Sequence, residues 1–389
     1  MREDILPFSS PSITADDIEA VAAVMRSRWI TTGAKVAAFE RGLCDACGAG
    51  GAVALASGTA GMHIALTALG IGPGDEVVTP SLTWVSTINL IALAGAAPVF
   101  ADVDRETLMV TPDTVAAVIT DRTRLIVPVH FAGAALDLAP LRALAAARGI
   151  ALIEDAAHAL GTCYRGEPIG RTGTAVLSFH PIKNLTTGEG GAVLSDDPAL
   201  LERLRRLRFH GLGADAYDRL TQGRSPQAQV QEPGYKYNLT DMAAALGLSQ
   251  LKRLAAMNHR RAELARQYRE LLAEVEEILP LGDPDYEMTH SWHLFIVRVD
   301  ADRAGIDRDG FMAALKERNV GTGLHFRAAH LHRYYAEQMG SARGSLPHTE
   351  WNSDRICSIP LFPDMTDDDA RYVVDAIKSV LPRRSFVLR

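Results

Sequence analysis

A lysine and an aspartate stand just beyond two apolar runs of the sequence, where their side chains can act on one molecule. Asp155 follows the run 150–153, and Lys183 follows the run 174–177. A lysine amine condenses with an aldehyde, and a carboxylate keeps a pyridine nitrogen protonated so that the ring accepts electrons from a carbanion. These are the two groups that a pyridoxal phosphate (PLP) site requires. The sequence therefore predicts PLP chemistry with Lys183 and Asp155 as catalytic residues.

Small and hydroxyl-bearing residues offer a binding site for the cofactor phosphate. Ser178 and the turn 186–188 carry hydroxyl and backbone N–H groups near the lysine. The segment 56–61, Ala-Ser-Gly-Thr-Ala-Gly, lies between a predicted strand and the helical run 62–69. Small residues at such a turn let the backbone approach a phosphate, which the N-terminus of the helix then stabilises. We interpret this segment as the phosphate site.

Three further side chains each have two open interpretations. His158 either supports the Asp155 carboxylate or a cofactor hydroxyl, or it is a buried structural histidine. Trp84 follows a predicted strand end, where it either stacks on a pyridine ring or belongs to the core. Asn238 either caps the helix that begins near it or contacts a phosphate in the site of a partner subunit.

The loop 323–330 contains two histidines and an arginine: His325, His330 and Arg327. Arginine suits recognition of a diphosphate or a carboxylate because its planar fork donates parallel hydrogen bonds. Metal binding by the two histidines is the alternative, but no acidic or thiol ligand accompanies them. The loop therefore favours anion recognition, and we predict no metal centre.

The elements that position these residues alternate along the chain between about residues 50 and 195. Seven apolar runs are predicted strands: 52–56, 76–79, 98–102, 125–129, 151–154, 175–179 and 192–194. Alanine- and leucine-rich stretches with helical spacing separate several of them. This alternation predicts an α/β fold with a mainly parallel sheet covered by helices on both faces. Ligands of such sheets bind beyond the carboxyl ends of the strands, where Asp155 and Lys183 fall.

The sequence after this region has the pattern of a second, smaller domain. It contains, in chain order, a loop, a long helical pattern, a strand and a helix over 221–234, 241–272, 293–299 and 308–318. The long helical pattern leads the chain out of the first domain. We predict a large cofactor-binding domain with an N-terminal arm over residues 1–245 and a small C-terminal domain over 246–389.

Composition limits the classes of function. The 389 residues are 47% hydrophobic and 22% charged, with a formal net charge of −7, which is typical of a globular protein. An acidic chain without a basic stripe gives no case for binding nucleic acid or an anionic membrane. The N-terminus leads into no apolar core, and the longest apolar stretch, 85–101, is interrupted by Asn, Gly and Pro. We therefore predict a cytoplasmic protein without a membrane span.

These residues, and several longer runs, resemble the DegT/StrS-type nucleotide-sugar aminotransferases, a PLP-dependent family with the aspartate aminotransferase fold. The longer runs are 29–33, 79–87, 208–213, 323–330 and 350–357. They are most similar to the branch that makes UDP-4-amino-4-deoxy-L-arabinose for lipid A modification and polymyxin resistance. The stretch 184–191 resembles the wider family more than this branch. The resemblance extends over residues 7–381 and implies fold type I, with a mainly parallel seven-stranded sheet and a smaller α/β C-terminal domain.

The resemblance implies a role for each matching residue. Lys183 resembles the lysine that binds the cofactor aldehyde, and Asp155 resembles the partner of the pyridine nitrogen. Asn238 would reach the cofactor phosphate of a second subunit in a homodimer. With His158, the expected cofactor contacts are Thr59, Ala60, Trp84, Asp155, Ser178, Lys183 and Asn238. The expected contacts on the sugar-nucleotide side are Thr31, His325 and His330.

We therefore expect transamination of a 4-keto sugar nucleotide, UDP-4-keto-L-arabinose, with L-glutamate as donor and 2-oxoglutarate as product. Another nucleotide-linked keto-hexose is the alternative substrate. A PLP-dependent sugar dehydratase is a weaker alternative, since the lysine position of those relatives resembles a histidine. A PLP-binding regulator without turnover is the alternative from another class, but the chain has neither the extra length nor the basic patch for DNA binding.

Overall fold

A seven-stranded sheet forms the centre of the computed structural model, which describes residues 2–212 and 229–381. The predicted loop 221–234 therefore lies mostly outside the described residues. The sheet has the strand order β1-β9-β8-β5-β4-β2-β3. Its strands are β1 (Gly51–Leu55), β2 (Glu76–Pro80), β3 (Ala97–Ala101), β4 (Thr123–Ile126), β5 (Ala151–Asp155), β8 (Thr174–Ser178) and β9 (Gly191–Ser195). Each overlaps one of the seven predicted runs; six agree to within one or two residues at their ends, whereas β4 shares only residues 125 and 126 with the predicted run 125–129.

The direction of the strands confirms the prediction of a mainly parallel sheet. β2, β3, β4, β5 and β8 pair in parallel, whereas β9 runs antiparallel to both β1 and β8. Antiparallel neighbours need only a short connection. The chain therefore returns from β8 to β9 through a tight segment, residues 179–190, and Lys183 lies on it.

Burial on both faces explains why these strands read as continuous apolar runs. In β1, Ala52 and Ala54 belong to one hydrophobic cluster, and Val53 and Leu55 belong to another. Side chains of a strand point alternately to opposite faces. Each face of the sheet is therefore packed against its own layer, as expected for a sheet between two layers of helices.

Fourteen helices of four or more residues lie within residues 2–212 and 229–381. In the first part of the chain they are α1 (Ala15–Ser27), α2 (Ala34–Cys47), α3 (Gly58–Ala68), α4 (Val85–Leu93), α5 (Pro112–Ala116), α6 (Leu138–Arg148) and α7 (Pro198–Leu207). In the second part they are α8 (Asp241–Leu251), α9 (Leu254–Leu272), α10 (Ala301–Ala304), α11 (Arg308–Lys316), α12 (Arg333–Met339), α13 (Pro347–Ser353) and α14 (Asp367–Val380).

The single long helix predicted over 241–272 is two helices, α8 and α9. They pack on different partners, because α8 contacts α1 and α2 whereas α9 contacts α14. Between them, the guanidinium of Arg253 donates to Oδ2 of Asp17 at 2.7 Å. Helical periodicity continues across the break, so the sequence pattern alone does not reveal it.

Three strands form a second sheet with its own hydrophobic cluster. They are β10 (Ile278–Pro280), β12 (Phe295–Val299) and β13 (Ile356–Ile359), in the order β10-β12-β13. A third sheet is made of the two-residue strands β6 (Cys163–Tyr164), β7 (Glu167–Pro168) and β11 (Met288–Thr289). The predicted boundary at residue 245 lies inside α8, and the division into two domains stays a prediction.

The N-terminal arm is held by this second part of the chain. The backbone N–H of Leu6 donates to the carbonyl of Asn319 at 2.8 Å, and Gly321 donates back to Leu6 at 2.7 Å. Leu6 is buried in the same hydrophobic cluster as β12 and β13. The arm therefore joins the beginning of the chain to its C-terminal third.

Candidate active site

A cavity of about 1210 Å³, which includes its open mouth, lies at the carboxyl ends of β5 and β8. The first turn of α3, the segment before α4 and the turn after β8 also line it. Seven of the predicted site residues meet there, and they are Thr59, Trp84, Asp155, His158, Ser178, Lys183 and His325. The rule that ligands of parallel sheets bind beyond the strand ends therefore located the cavity correctly.

Asp155 is the last residue of β5, and its carboxylate faces the cavity. Oδ1 accepts the backbone N–H of Ala157 at 3.1 Å, and Oδ2 accepts the hydroxyl of Thr87 at 3.4 Å. Burial raises the pKa of Asp155, whereas the Ala157 N–H and the charge of Lys183 act in the opposite direction. A cationic group in the cavity would offset the cost of this buried charge.

Glu154 points away from the cavity, as strand alternation predicts. It is fully buried, and it accepts hydrogen bonds from Nε2 of His130 at 3.1 Å and from the guanidinium of Arg142 at 2.6 Å. Two adjacent acids of one strand therefore have different surroundings. Glu154 is neutralised inside the protein, and Asp155 is left to meet a ligand.

Lys183 reaches the cavity from the segment between β8 and β9. Its backbone N–H donates to the carbonyl of His180 at 2.8 Å, which makes the turn that directs the side chain inward. Burial lowers the pKa of Lys183 to about 8, and the carboxylate of Asp155 opposes that shift. About a tenth of the amine is therefore unprotonated and nucleophilic at pH 7, far more than for an unperturbed lysine.

The first turn of α3 forms a concave surface of backbone at one side of the cavity. Ser57 caps the helix, because its hydroxyl accepts the N–H of Ala60 at 3.0 Å. The first N–H groups of a helix have no partner inside it and carry a partial positive charge. A Cβ on Gly191 would overlap the backbone of Ser57 and Gly58. The glycine therefore lets β9 lie against the turn, whose backbone N–H groups can bind an anion.

Aromatic side chains stand at the mouth of the cavity. Trp84 is 60% exposed, and its ring lies 5.9 Å from that of Phe326, measured between centroids. His325 is buried, with Nδ1 2.7 Å from the hydroxyl of Ser358. Burial, and secondly the charge of Lys183, lower the pKa of His325 to about 4. His325 is therefore a neutral imidazole near pH 7.

His158 lies deeper, behind the mouth. It is 6% exposed, and its ring stacks on Phe326 at 6.0 Å between centroids. Burial holds the pKa of His158 well below its usual range, and the charge of Lys183 adds to this effect. The histidine is therefore neutral where it borders the cavity.

The structure places four of the predicted residues outside the cavity lining. The N–H of Ala60 is used by the Ser57 cap. Thr31 is exposed, and its carbonyl accepts the N–H of Asp241 at 3.0 Å. Asn238 hydrogen-bonds to Thr32, and His330 is fully buried between Ser81 and Glu350. Residue types and spacing alone do not reveal where each of these side chains points.

Several residues that line the cavity were not among the predicted ones. They include Phe326, Thr87, His180, Glu189 and Met62. Phe326 lies beside His325 in a loop that was singled out, so its position was accessible to the same argument. Thr87 is the one that contacts Asp155, and only the packing of α4 against the sheet reveals that contact.

The part of the chain that the structure covers contains no group of three or more His, Cys, Asp or Glu side chains that could hold a metal ion. None of the helices within residues 2–212 and 229–381 is both long and apolar enough to cross a membrane.

Comparison with known proteins connects this geometry to a family. The model of the DegT/DnrJ/EryC1/StrS aminotransferase family matches residues 11–378. The solved structure of Spr1654 from Streptococcus pneumoniae, in its PLP form, is similar with 30% identity and a TM-score of 0.89, over 97% of this chain and 98% of that one.

Two further structures are similar over nearly their whole length. The sugar aminotransferase CalS13 from Micromonospora echinospora is 33% identical, with a TM-score of 0.85 over 96% of this chain and 100% of that one. DesI, solved in the presence of its TDP-sugar product, is 34% identical, with a TM-score of 0.85 over 97% and 93%. The predicted fold class is thereby confirmed. Because the family model spans almost the entire sequence, the chain belongs to the DegT/DnrJ/EryC1/StrS aminotransferase family.

Proposed function

We propose that this protein is a PLP-dependent aminotransferase that transfers an amino group to the keto group of a sugar nucleotide. The observation that carries the proposal is that Lys183 and Asp155 meet in one cavity beside the N-terminus of α3. Membership of an aminotransferase family supports the reaction type. The PLP form of Spr1654 supports the cofactor.

The residues of the cavity fit PLP at three points. Lys183 has an amine whose pKa, lowered by burial to about 8, suits condensation with an aldehyde. Asp155 has a carboxylate whose buried charge a protonated pyridine nitrogen would compensate. The backbone of Ser57 and Gly58, which Gly191 approaches closely, suits an anion at the start of α3.

The chemistry divides between the cofactor and the chain. When bound, PLP supplies an electron sink for the negative charge that develops on the amine-bearing carbon. Nζ of Lys183, whose pKa burial lowers to about 8, would accept the proton of that carbon and return it to the former aldehyde carbon of the cofactor, on the other side of the nitrogen. The rings of Trp84 and Phe326, 5.9 Å apart between centroids, give one side of the cavity an apolar surface.

For the substrates we propose L-glutamate and UDP-4-keto-L-arabinose, giving 2-oxoglutarate and UDP-4-amino-4-deoxy-L-arabinose. The resemblance of the runs 323–330 and 350–357 to that branch supports the pentose. DesI, which is solved with its TDP-sugar product, supports a nucleotide-linked sugar in general. A nucleotide-linked keto-hexose is the alternative. We propose roles in lipid A modification and polymyxin resistance only if the pentose is the substrate.

The proposal also includes a cytoplasmic homodimer with shared active sites. Asn238 would contact the cofactor phosphate of the other subunit, since it lies outside the cavity lining of its own chain. Thr31 is exposed and adjoins Thr32, which accepts a hydrogen bond from Asn238, so we place it on the same shared side. His325 lines the cavity and is our candidate for contact with the sugar nucleotide. His330 would act indirectly, through the loop that carries His325.

Absorbance spectroscopy tests the reaction class. The protein loaded with PLP should absorb in the visible, and L-glutamate should bleach that band as the amino group is transferred. Lys183→Ala should lose both the covalent link and turnover, whereas Lys316→Ala, an exposed lysine on α11, should retain both. A wild-type band that glutamate leaves unchanged would favour a PLP-binding regulator over an aminotransferase.

A coupled assay tests the substrate. L-Glutamate would be offered with a panel of keto-sugar nucleotides, and 2-oxoglutarate formation would be measured for each. The proposal predicts the highest kcat/KM for UDP-4-keto-L-arabinose over UDP- and dTDP-linked 4-keto-hexoses. If a keto-hexose gives a higher kcat/KM than the pentose, the assignment as an aminotransferase stands and the proposed substrate changes.

A further inference from the structure

The hydroxyl of Ser358 is a buried group that the proposed chemistry does not use. Ser358 lies in β13 and is fully buried. Its Oγ lies 2.7 Å from Nδ1 of His325, and within the described residues no other group hydrogen-bonds to this oxygen. His325 in turn lines the active-site cavity. The serine therefore meets the site through one ring nitrogen of one histidine.

The backbone and a neighbouring ring fix this pair in place. The N–H of Gly323 donates to the carbonyl of Ser358 at 2.9 Å, and the N–H of Ser358 donates back to the carbonyl of Gly323 at 2.8 Å. A Cβ on Gly323 would lie 2.7 Å from Cε1 of His325, so the glycine lets the imidazole lie against the chain. The ring of Phe8, in the N-terminal arm, lies 5.5 Å from the imidazole between centroids. The imidazole therefore has a fixed position relative to the serine.

The direction of the hydrogen bond follows from what each atom can do. A hydroxyl has one proton to donate, and a buried donor without an acceptor destabilises a folded protein. Nδ1 of His325 is the partner of the Ser358 hydroxyl, so the hydroxyl donates and Nδ1 accepts. Burial, and secondly the charge of Lys183, lower the pKa of His325 to about 4, so near pH 7 the ring carries a single proton. That proton therefore sits on Nε2.

Nε2 is the nitrogen of His325 that is left for a ligand. Among the described residues no hydrogen-bond partner contacts it, and it is not one of the unpartnered polar atoms that are shielded from solvent. Because the imidazole lines the cavity, Nε2 faces open space there. An N–H in this position binds an oxygen that accepts a hydrogen bond, whereas a nitrogen lone pair would repel the same oxygen.

We propose that Ser358 is a positioning residue that fixes His325 as an Nε2–H donor, and that this N–H binds an acceptor oxygen of the sugar nucleotide. The inference rests on the proposed function, because it takes its ligand from there. It adds the polarity of the contact. The oxygen belongs either to the keto sugar or to the diphosphate, since both carry oxygens that accept hydrogen bonds.

Half-reaction kinetics of the holoenzyme test the inference. Ser358→Ala should raise the KM of the keto-sugar nucleotide about three- to tenfold, because the substrate oxygen loses a donor of fixed orientation. The rate at which L-glutamate bleaches the absorbance of bound PLP should stay as in the wild type. Inhibition by UDP distinguishes the two sources of the oxygen. Its inhibition constant should rise together with KM for a diphosphate oxygen and stay constant for a sugar oxygen.

Ser195→Ala is the matched control. Ser195 is fully buried in β9, where its hydroxyl hydrogen-bonds to that of Thr174 at 3.0 Å, and it is not part of the cavity lining. This variant should lower the midpoint of urea unfolding and leave KM unchanged. Ser358→Thr keeps a hydroxyl, and its KM should stay within about threefold of the wild type.

Two outcomes overturn the inference while the proposed function stands. In the first, Ser358→Ala keeps the wild-type KM. In the second, it slows both half-reactions equally, as general damage to the fold would do. If the wild type itself transfers no amino group to any keto-sugar nucleotide, the proposed function fails and the ligand assigned to His325 fails with it.

Should the Ser358 variants not fold, the ¹⁵N spectrum of the histidine-labelled wild type decides. The signals of His325, assigned by their loss in His325→Gln, should show a protonated Nε2 and an unprotonated Nδ1 at pH 7. The opposite tautomer, or a mixture of the two, would overturn the inference.

Discussion

Nδ1 of His330 lies 2.7 Å from the hydroxyl of Ser81, and Nε2 of the same ring lies 3.2 Å from Oε1 of Glu350. Ser81 follows β2 and stands just before the segment of Trp84, while His330 ends the loop that carries His325. The buried relay Ser81–His330–Glu350 therefore connects two walls of the cavity. Its serine, histidine and acid are shielded from solvent, so the arrangement holds a loop in place and has no access to a substrate.

The first prediction concerns this relay. His330→Ala removes two hydrogen bonds and leaves the hydroxyl of Ser81 buried with fewer partners, so it should lower the free energy of unfolding by about 2–3 kcal/mol. Urea unfolding of the cofactor-free protein measures the change. His259→Ala replaces an exposed histidine of α9 and should change stability by less than about 0.5 kcal/mol. Equal effects of the two variants would contradict a structural role for the relay.

The second prediction separates the neighbouring acids of β5. Asp155→Asn should lower turnover by about 10²–10³-fold, because it removes a charge at the cofactor. It should leave stability within about 1 kcal/mol, since burial already raises the pKa of that carboxylate and its ionised form costs free energy. Steady-state kinetics and urea unfolding report the two effects. A large loss of stability with normal turnover would reverse the assignment.

The third prediction concerns Glu154→Gln, which changes the acid on the opposite face of β5 from Asp155. It should lower the unfolding free energy by about 2–3 kcal/mol, less than for a fully buried pair, because the side chain of Arg142 is 34% exposed and can be hydrated. The visible absorbance of bound PLP should stay as in the wild type. Loss of the band in a stable Glu154→Gln protein would show that this acid, too, acts on the cofactor.

The fourth prediction follows from the pKa of Lys183. Burial lowers it to about 8 in the folded protein, against about 10.4 in an unfolded chain. Between these values the unfolded state binds more protons, so the stability of the cofactor-free protein should gain a contribution that grows as pH rises from 8 to 10.4. Lys183→Met removes the amine and should flatten that rise. Parallel pH profiles for the two proteins would contradict the lowered pKa.

The fifth prediction tests the close approach of backbone at the phosphate site. Gly191→Ala should lower the unfolding free energy by about 3 kcal/mol or more, because its Cβ would overlap the backbone of Ser57 and Gly58. It should also weaken binding of PLP. Gly72→Ala is the control, since its Cβ would meet its nearest atom, the carbonyl oxygen of Ala94, at 3.9 Å. Its unfolding free energy should stay within about 0.5 kcal/mol of the wild type.

The central sheet was predictable because each of its strands can be recognised from a short stretch of consecutive residues. Each strand buried on both faces is a continuous apolar run, and β1, β2 and β8 stand out for this reason. Asp155 and Lys183 were predictable by the same means, since each follows such a run. The two-residue strands β6 and β7 were not predicted, because a segment so short shows no periodicity.

Contacts between distant parts of the chain account for the features that the sequence did not reveal. His293 meets His158 only because the segment before β12 returns to the central sheet. His330 lies in a loop with the composition of a binding site, yet its position depends on Ser81 and Glu350 from two other segments. Residue types and spacing do not specify such partners.

The pairing of Leu6 with the backbone around Val320 has a consequence for synthesis. Leu6 is synthesised 314 residues before Val320, so the arm emerges from the ribosome well before its partner. During translation the arm therefore stays unpaired and is open to chaperones. It can pair only after the segment around Val320 has also been synthesised.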